Sequence, residues 1–144
     1  MNSNFKLDIK YIAGIFDADG CASYKKYSKK RKGVKKVYPT WDIRLEISMT
    51  HKDVIELIHE TLMVGTVRKK PPGKGQLGKK MQYRWRCSHR DALYVCKLFW
   101  PHAIVKLHKI EQIIDHYEPD IQEVDDNLVD LALERERRYG LKND

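Results

Sequence analysis

Two carboxylates, Asp17 and Asp19, lie two residues apart directly before Gly20. The apolar residues before them recur at three- and four-residue steps, which predicts a helix with one face on a core; they are Ile9, Ile12, Ala13 and Phe16. A helix has the negative end of its dipole at its C-terminus, so acids there are disfavoured unless a cation or a hydrogen-bond donor compensates them. The spacing therefore indicates an acidic helix end with the chemistry of a metal site.

The opposite face of this helix carries Tyr11, Gly14, Ile15 and Ala18. Gly14 and Ala18 are one turn apart and have almost no side chain, so a second helix could approach there backbone to backbone. Gly20 predicts the end of the helix, because glycine readily adopts the left-handed conformation that follows many helices.

Positive charge is sorted along the chain. The net charge is +8, yet residues 20–41 contain no acid and residues 25–36 contain eight Lys or Arg. Residues 61–90 form a second acid-free stretch, whereas nine of the twenty acids lie in residues 115–136. This segregation predicts one strongly positive surface, as nucleic-acid binding requires. A basic face that serves only solubility would not need such sorting.

Length and composition exclude several classes of protein. The 144 residues, 42% hydrophobic and 33% charged, are typical of one globular domain. No apolar run approaches a membrane span and the N-terminus lacks the apolar stretch of a secretion signal, so we expect an intracellular protein, in the cytoplasm or in an organelle. The cysteines, Cys21, Cys87 and Cys96, lack a CxxC spacing and are expected to be buried free thiols.

Alternating side chains predict two β-hairpins that follow the first helix. Their strands are residues 21–30, 41–49, 66–70 and 82–88. Between the hairpins, Thr50 is expected to cap a helix with a clear apolar stripe.

Further helices are expected after the second hairpin. Ser88 and Asp91 resemble a capping box that opens one helix. Pro101 is expected to start another. The apolar stripe of that helix comprises Ile104, Leu107, Ile110 and Ile114. Residues 120–139 predict a polar terminal helix.

Residues 12–20, IAGIFDADG, resemble the LAGLIDADG signature of the homing endonucleases. Six of the nine positions match, and the exceptions, Ile12, Ile15 and Phe16, are apolar exchanges. The predicted element order matches the αββαββα arrangement of that family. The resemblance implies an α+β fold in which a four-stranded antiparallel saddle binds DNA and helices cover its other face. It also implies an endonuclease domain over residues 1–119 and a C-terminal helical extension, residues 120–144, packed on the same domain.

The resemblance implies a catalytic site at the end of the first helix. In the family, the last acid of the signature and the carbonyl before it help to bind a divalent metal; here these are Asp19 and Ala18, with Mg²⁺ or another cation such as Mn²⁺ expected. His51 stands where family members more often carry Gln, and it could order water, act as a base or begin a helix. Lys106 resembles the basic catalytic residue of the family, with Lys109 as its competitor.

The presence of one signature implies a homodimer in which two signature helices pack together. The interface would include Tyr11, Gly14, Asp17 and Ala18. Two copies of Asp19 would meet near the dyad with divalent cations between them, and each subunit would cut one strand.

Polar side chains on the outward strand faces have the right chemistry for base edges and phosphates. The resemblance places these residues over the major groove of DNA: Ser23, Lys25, Tyr27, Lys29, Arg31, Arg44, Ser48, Arg68, Lys70, Gln82, Arg84 and Arg86. Lys35, Lys36 and Lys74 are expected to contact phosphate, so that binding weakens with salt.

These patterns favour a sequence-specific, metal-dependent endonuclease that makes a staggered double-strand break in a long, nearly palindromic DNA site and serves intron or mobile-element homing. Neither a small-molecule cofactor nor a membrane is expected. One alternative is a catalytically inactive nucleic-acid-binding protein of the same fold, such as an RNA maturase or a DNA-binding regulator. A second is a basic protein that compacts nucleic acid without sequence preference.

Overall fold

The computed structural model describes residues 6–30, 32–33, 37–72 and 80–119. The chain divides into two compact units, residues 1–114 and 115–144. The predicted C-terminal extension, residues 120–144, lies outside the described residues and stays a prediction.

Helices and strands follow one another in the predicted order. They are α1 (Ile9–Asp19), β1 (Cys21–Lys30), β2 (Val37–Met49), α2 (Lys52–Leu62), β3 (Thr66–Lys70), β4 (Gln82–Ser88), α3 (Arg90–Phe99) and α4 (Leu107–Tyr117). The predicted αββαββα order and the α+β class are confirmed, and α4 follows them. No described helix has the length and apolar character needed to cross a membrane.

The four strands form one antiparallel sheet in the order β1-β2-β4-β3. Alternate residues of the central strands β2 and β4 are buried; they are Ile43, Leu45, Ile47, Trp85 and Cys87. The helices contribute most of the remaining core, including Ile12, Phe16, Ile55, Ile58 and Phe99. Helices therefore cover one face of the sheet. We call the opposite face, to which the intervening residues belong, the outer face.

The first helix begins and ends at well-defined caps. The Asp8 carboxylate accepts a hydrogen bond from the Lys10 N–H at 2.8 Å, which satisfies a free donor of the first turn. At the other end the prediction of a left-handed Gly20 is wrong, because its φ is −71°. A Cβ at Gly20 would instead lie 2.7 Å from the Phe16 carbonyl oxygen and collide with the Phe16 ring. Glycine is required there by close packing and not by its backbone angle.

Two helix caps differ from the prediction. The N-cap of α2 is His51 and not Thr50, since the His51 Nδ1 accepts from the Val54 N–H at 3.3 Å. The predicted capping box at Ser88 is also absent: Ser88 is the last residue of β4, and His89 precedes α3 with a φ of 56° and no side-chain cap. The His89 N–H donates to the Ile43 carbonyl at 2.9 Å, so this residue continues the pairing with β2.

The last helix starts later than Pro101. Residues 101–106 form turns, and α4 begins at Leu107. Ile104, predicted to lie on the buried stripe, is 60% exposed, whereas Leu107 and Ile110 are buried as predicted. The delay has a physical cause, because backbone N–H groups of residues 104–106 bond to an acid on α1, described below.

Free thiols were predicted, and all three cysteines are free. Cys87 and Cys96 are buried as expected, and burial raises the pKa of both thiols, that of Cys87 to about 12 with a further contribution from Asp91. The prediction of burial is wrong for Cys21, which is exposed at the start of β1.

Candidate active site and nucleic-acid interface

The two acids of α1 have different surroundings. Asp19 is the last residue of the helix; its side chain is exposed and makes no hydrogen bond or ion pair with any described residue. Asp17 is partly buried and fully engaged. One helix end therefore carries one carboxylate with three partners and one without any partner among the described residues.

Asp17 holds the turn that precedes α4. Its carboxylate oxygens accept hydrogen bonds from the backbone N–H groups of Ile104 at 3.1 Å, Val105 at 3.1 Å and Lys106 at 2.9 Å. Free N–H groups at a helix start usually find an acceptor on a nearby residue of the same segment. Here the acceptor lies 87 to 89 residues earlier in the chain.

These bonds also govern the charge of Asp17. Desolvation by partial burial raises the pKa of its carboxyl, but the three backbone hydrogen bonds and the charge of Lys106 together outweigh it and lower the pKa below the ordinary value of 3.8. Asp17 is therefore ionised at neutral pH.

Lys106 is tied to the same helix end. Its Nζ donates to the backbone carbonyl of Asp17 at 2.9 Å, at the negative end of the α1 dipole. Lys109 is exposed on α4 and has no partner among the described residues. Of the two lysines that the sequence left open, the structure brings Lys106 next to the acidic end of α1.

His51 serves as a helix cap, one of the three roles considered from sequence. Because its Nδ1 accepts the hydrogen bond from Val54, the neutral ring carries its proton on Nε2. In this arrangement the exposed imidazole can still donate a hydrogen bond through Nε2 but cannot accept a proton there.

Within the described part of the chain, no residue covers the face of α1 opposite the core. Tyr11 is 54% exposed, Ala18 is exposed, and a Cβ built at Gly14 meets nothing within 4 Å. Asp17 lies between this face and the turn at residues 104–106. A second helix therefore has room to approach the face on which Tyr11, Gly14 and Ala18 were expected to form an interface.

The strand register gathers the expected DNA-contacting residues on the outer face of the sheet. Ser23 lies opposite Arg44, and Lys70 lies opposite Gln82. Arg84 of β4 lies opposite both Ser48 and Arg68 on its two neighbouring strands. Residues directly opposite one another project to the same face.

Ten of the twelve expected residues have described side chains, and alternation along each strand places all ten on this face. They are Ser23, Lys25, Tyr27, Arg44, Ser48, Arg68, Lys70, Gln82, Arg84 and Arg86. The side chain of Lys29 lies outside the described residues, as do Arg31, Lys35, Lys36 and Lys74.

Two acids on the outer face were not assigned a role from sequence. Glu46 accepts a hydrogen bond from Arg86 Nη2 at 3.0 Å and forms an ion pair with Arg84, whose Nε lies 3.2 Å from the same oxygen, Oε1. Asp42 lies 3.5 Å from Arg44 Nη2, and the Ser23 hydroxyl donates to it at 3.4 Å. The alternation of β2 places both acids outward, but the sequence alone does not show which arginines they meet.

Comparison with known proteins places this arrangement in a family. The sequence model of the LAGLIDADG endonuclease family matches residues 12–119, three quarters of the chain, from α1 to the end of α4. This chain belongs to the LAGLIDADG endonuclease family. No relative matches among curated proteins.

Solved LAGLIDADG structures share the fold. The homing endonuclease I-CvuI, in complex with the I-CreI target, superposes with a TM-score of 0.62 at 18% identity, covering 80% of this chain and 69% of that chain. The homing endonuclease I-TnaI gives 0.58 at 17% identity, covering 92% and 88%. The archaeal intron-encoded I-Vdi141I, complexed with DNA, gives 0.55 at 21% identity, covering 73% and 63%.

The signature of this LAGLIDADG protein supplies oxygen donors of the kind that hard divalent cations prefer. The exposed Asp19 carboxylate and the Ala18 carbonyl at the helix end have this chemistry. Among the described residues, no three His, Cys, Asp or Glu side chains converge on one point. One chain thus offers only some of the oxygen ligands that a divalent cation needs. Water, phosphate or a second copy of the chain would supply the remaining ligands.

Proposed function

We propose that this protein is a divalent-metal-dependent, sequence-specific DNA endonuclease that acts as a homodimer. It makes a staggered double-strand break in a long, nearly palindromic duplex site, as intron or mobile-element homing requires. The observation that carries the proposal is the exposed Asp19 carboxylate at the end of α1, which has no partner in the described part of the chain and lies two residues from the engaged Asp17. An unpaired acid at the negative end of a helix dipole favours a bound cation.

The chain's own residues have distinct tasks in this reaction. Asp19 and the Ala18 carbonyl would hold Mg²⁺ or a similar cation, which supplies Lewis-acid stabilisation to the phosphate under attack. The ammonium group of Lys106 adds positive charge beside that phosphate. Asp17 fixes the turn that carries Lys106, since it binds the backbone of residues 104–106. His51 orders water through its Nε2–H.

The incomplete donor set and the uncovered face of α1 among the described residues support the homodimer. Gly14 and Ala18 allow two helices to approach closely, and this contact brings two copies of Asp19 to the dyad. Unshielded carboxylates repel each other there, so divalent cations stabilise the pair. Two sites related by a twofold axis suit the two strands of a nearly palindromic duplex.

The outer face of the sheet is the proposed DNA-binding surface. Its arginines and Gln82 can read guanine and adenine edges, while its lysines hold phosphate. Relatives of the same fold support this role: I-CvuI was crystallised with DNA targets in the presence of Mg and of Ca, and I-Vdi141I with DNA.

A cleavage experiment tests the proposal. Active duplexes are selected from a randomised library with wild-type protein and Mg²⁺, then cloned into a plasmid. We expect wild-type protein to linearise the plasmid with a stagger, and Asp19→Asn to lower the cleavage rate at least about 100-fold while it still binds the site.

Asp8→Asn is the matched control. It removes a carboxylate from the opposite end of α1, where asparagine caps a helix as well as aspartate does, so its cleavage rate should equal that of wild type. Equal rates for Asp19→Asn and wild type would contradict the assignment of Asp19. Specific binding by wild-type protein without cleavage would instead support an inactive maturase or regulator.

A further inference from the structure

Glu46 is an acid in the middle of a basic surface. A single oxygen, Oε1, forms ion pairs with both Arg84 and Arg86, and the side chain is only 19% exposed. A carboxylate on a DNA-binding face repels phosphate and therefore weakens the non-specific attraction. Any benefit of Glu46 to DNA recognition must therefore come from the orientation that it gives to the two arginine side chains.

The two arginines are held in different ways. Arg84 faces Glu46 with its Nε in an ion pair, and its two terminal amino groups form no hydrogen bond with any described residue. Two adjacent amino groups match the O6 and N7 acceptors of guanine. Arg86 is bonded through Nη2, and its Nε is buried with no hydrogen-bond partner among the described residues, so Arg86 does not offer the same free pair of amino groups.

The surroundings of Arg84 add a second reason for a fixed orientation. Arg84 lies opposite Arg68 on β3 and close to Arg86 through their shared acid, so three cations are crowded on this part of the sheet. Without the negative charge of Glu46, their repulsion would drive the flexible Arg84 away from a single position. Glu46 compensates the charge and selects which edge of the Arg84 guanidinium faces outward.

We infer that Glu46 is a positioning residue that orients Arg84 to read one guanine in each half of the DNA site. The inference depends on the proposed function, since it requires sequence-specific binding by a homodimer. Arg86, which lies opposite Glu46 in the sheet, donates a hydrogen bond to Glu46 and so helps to fix its carboxylate.

Binding-site selection tests the inference. A randomised duplex library is selected by binding in Ca²⁺, so that cleavage is not required, and base preferences are read by sequencing. We expect wild-type protein to prefer guanine by about 10-fold or more at one symmetric pair of positions. Arg84→Lys, which keeps the charge but loses the two-pronged end, should lose that preference.

Two substitutions of Glu46 separate its charge from its geometry. Glu46→Gln removes the charge, and Glu46→Asp keeps the charge on a shorter side chain that cannot span both arginines. Both should reduce the guanine preference at least about threefold at the positions that Arg84→Lys affects. Glu46→Gln should not lower total DNA binding, because it removes a negative charge.

Asp42→Asn is the matched control, because Asp42 is the other outward acid of β2 and pairs with a different arginine, Arg44. It should leave the guanine preference at the Arg84 positions unchanged. The inference is overturned if either Glu46 variant keeps the full preference, or if affinity falls equally for all sequences. Wild-type protein without any base preference would overturn sequence-specific binding itself, which is a separate result.

Discussion

At the level of single residues, Asp17 and Asp19 show that environment decides the task of a side chain. Both are aspartates in the last turn of α1, yet one accepts three backbone hydrogen bonds and the other has no partner among the described residues. A carboxylate that accepts several N–H groups is held as an anion and stabilises the fold. A free carboxylate on the same helix remains available to a cation.

Replacement of Asp17 by asparagine should destabilise the protein. Asparagine keeps one oxygen but loses the charge that strengthens three hydrogen bonds, so we expect the free energy of unfolding at pH 7 to fall by about 1–3 kcal/mol. Because the folded-state pKa lies below 3.8, this stabilisation is complete above that value and is lost as the pH falls through the lowered pKa. Denaturant unfolding at pH 7 and at acidic pH measures both effects.

Asp8→Asn serves as the control for this measurement as well. Its single capping bond to Lys10 is available to asparagine, so its unfolding free energy should match that of wild type at pH 7. A stability difference between Asp17→Asn and wild type that did not shrink towards acidic pH would show that the charge of Asp17 is not the cause.

At the level of elements, the junction of α1 and β1 is set by packing. Gly20 has an extended backbone that any residue can adopt, but the space beside it is filled by Phe16, which is fully buried. The backbone at Gly20 therefore packs directly against Phe16 in the last turn of α1. Gly20 connects Asp19, the last residue of the helix, to Cys21, the first residue of β1.

Gly20→Ala should lower the free energy of unfolding by about 1–3 kcal/mol, the usual result of overpacking. Gly14→Ala, in the same helix but with open space at its Cβ position in the single chain, should leave the stability of the monomer equal or raise it by up to about 1 kcal/mol. Chemical denaturation at a protein concentration too low for dimerisation compares the two. Equal stability of Gly20→Ala and wild type would mean that Phe16 moves aside without cost.

At the level of the whole molecule, the proposed activity needs two copies of the chain. The open α1 face is the expected contact, and it adjoins the helix end that carries Asp19. Substitutions on this face should therefore reduce both dimerisation of the chain and double-strand cleavage of DNA, while each subunit remains folded.

Gly14→Glu should weaken self-association at least about tenfold, because it places bulk and like charges between the two helices. Sedimentation equilibrium measures the dimer constant, and circular dichroism checks the fold. Met63→Glu is the control, since Met63 is 77% exposed at the end of α2. If Gly14→Glu dimerised as tightly as wild type, the proposed interface would be wrong.

Local spacing predicted much of this fold. A period of two predicted the strands and the outward position of residues such as Arg84, and a period of 3.6 predicted the buried face of α1. The helix caps were less predictable. His51, Ser88 and residues 101–106 each departed from expectation, because a cap depends on the acceptor that the folded chain brings near and not only on residue type.

The sequence by itself determined the element order, the core faces and the family, since each depends on residues that are neighbours along the chain. Only the tertiary structure decided that Asp17 binds a turn 87 to 89 residues away and that Glu46 joins Arg84 and Arg86. Such contacts depend on the order β1-β2-β4-β3 and on how α1 packs beside the turn before α4. Hydrogen bonds and ion pairs between distant segments leave no periodic trace in the sequence, because their partners are set by three-dimensional proximity.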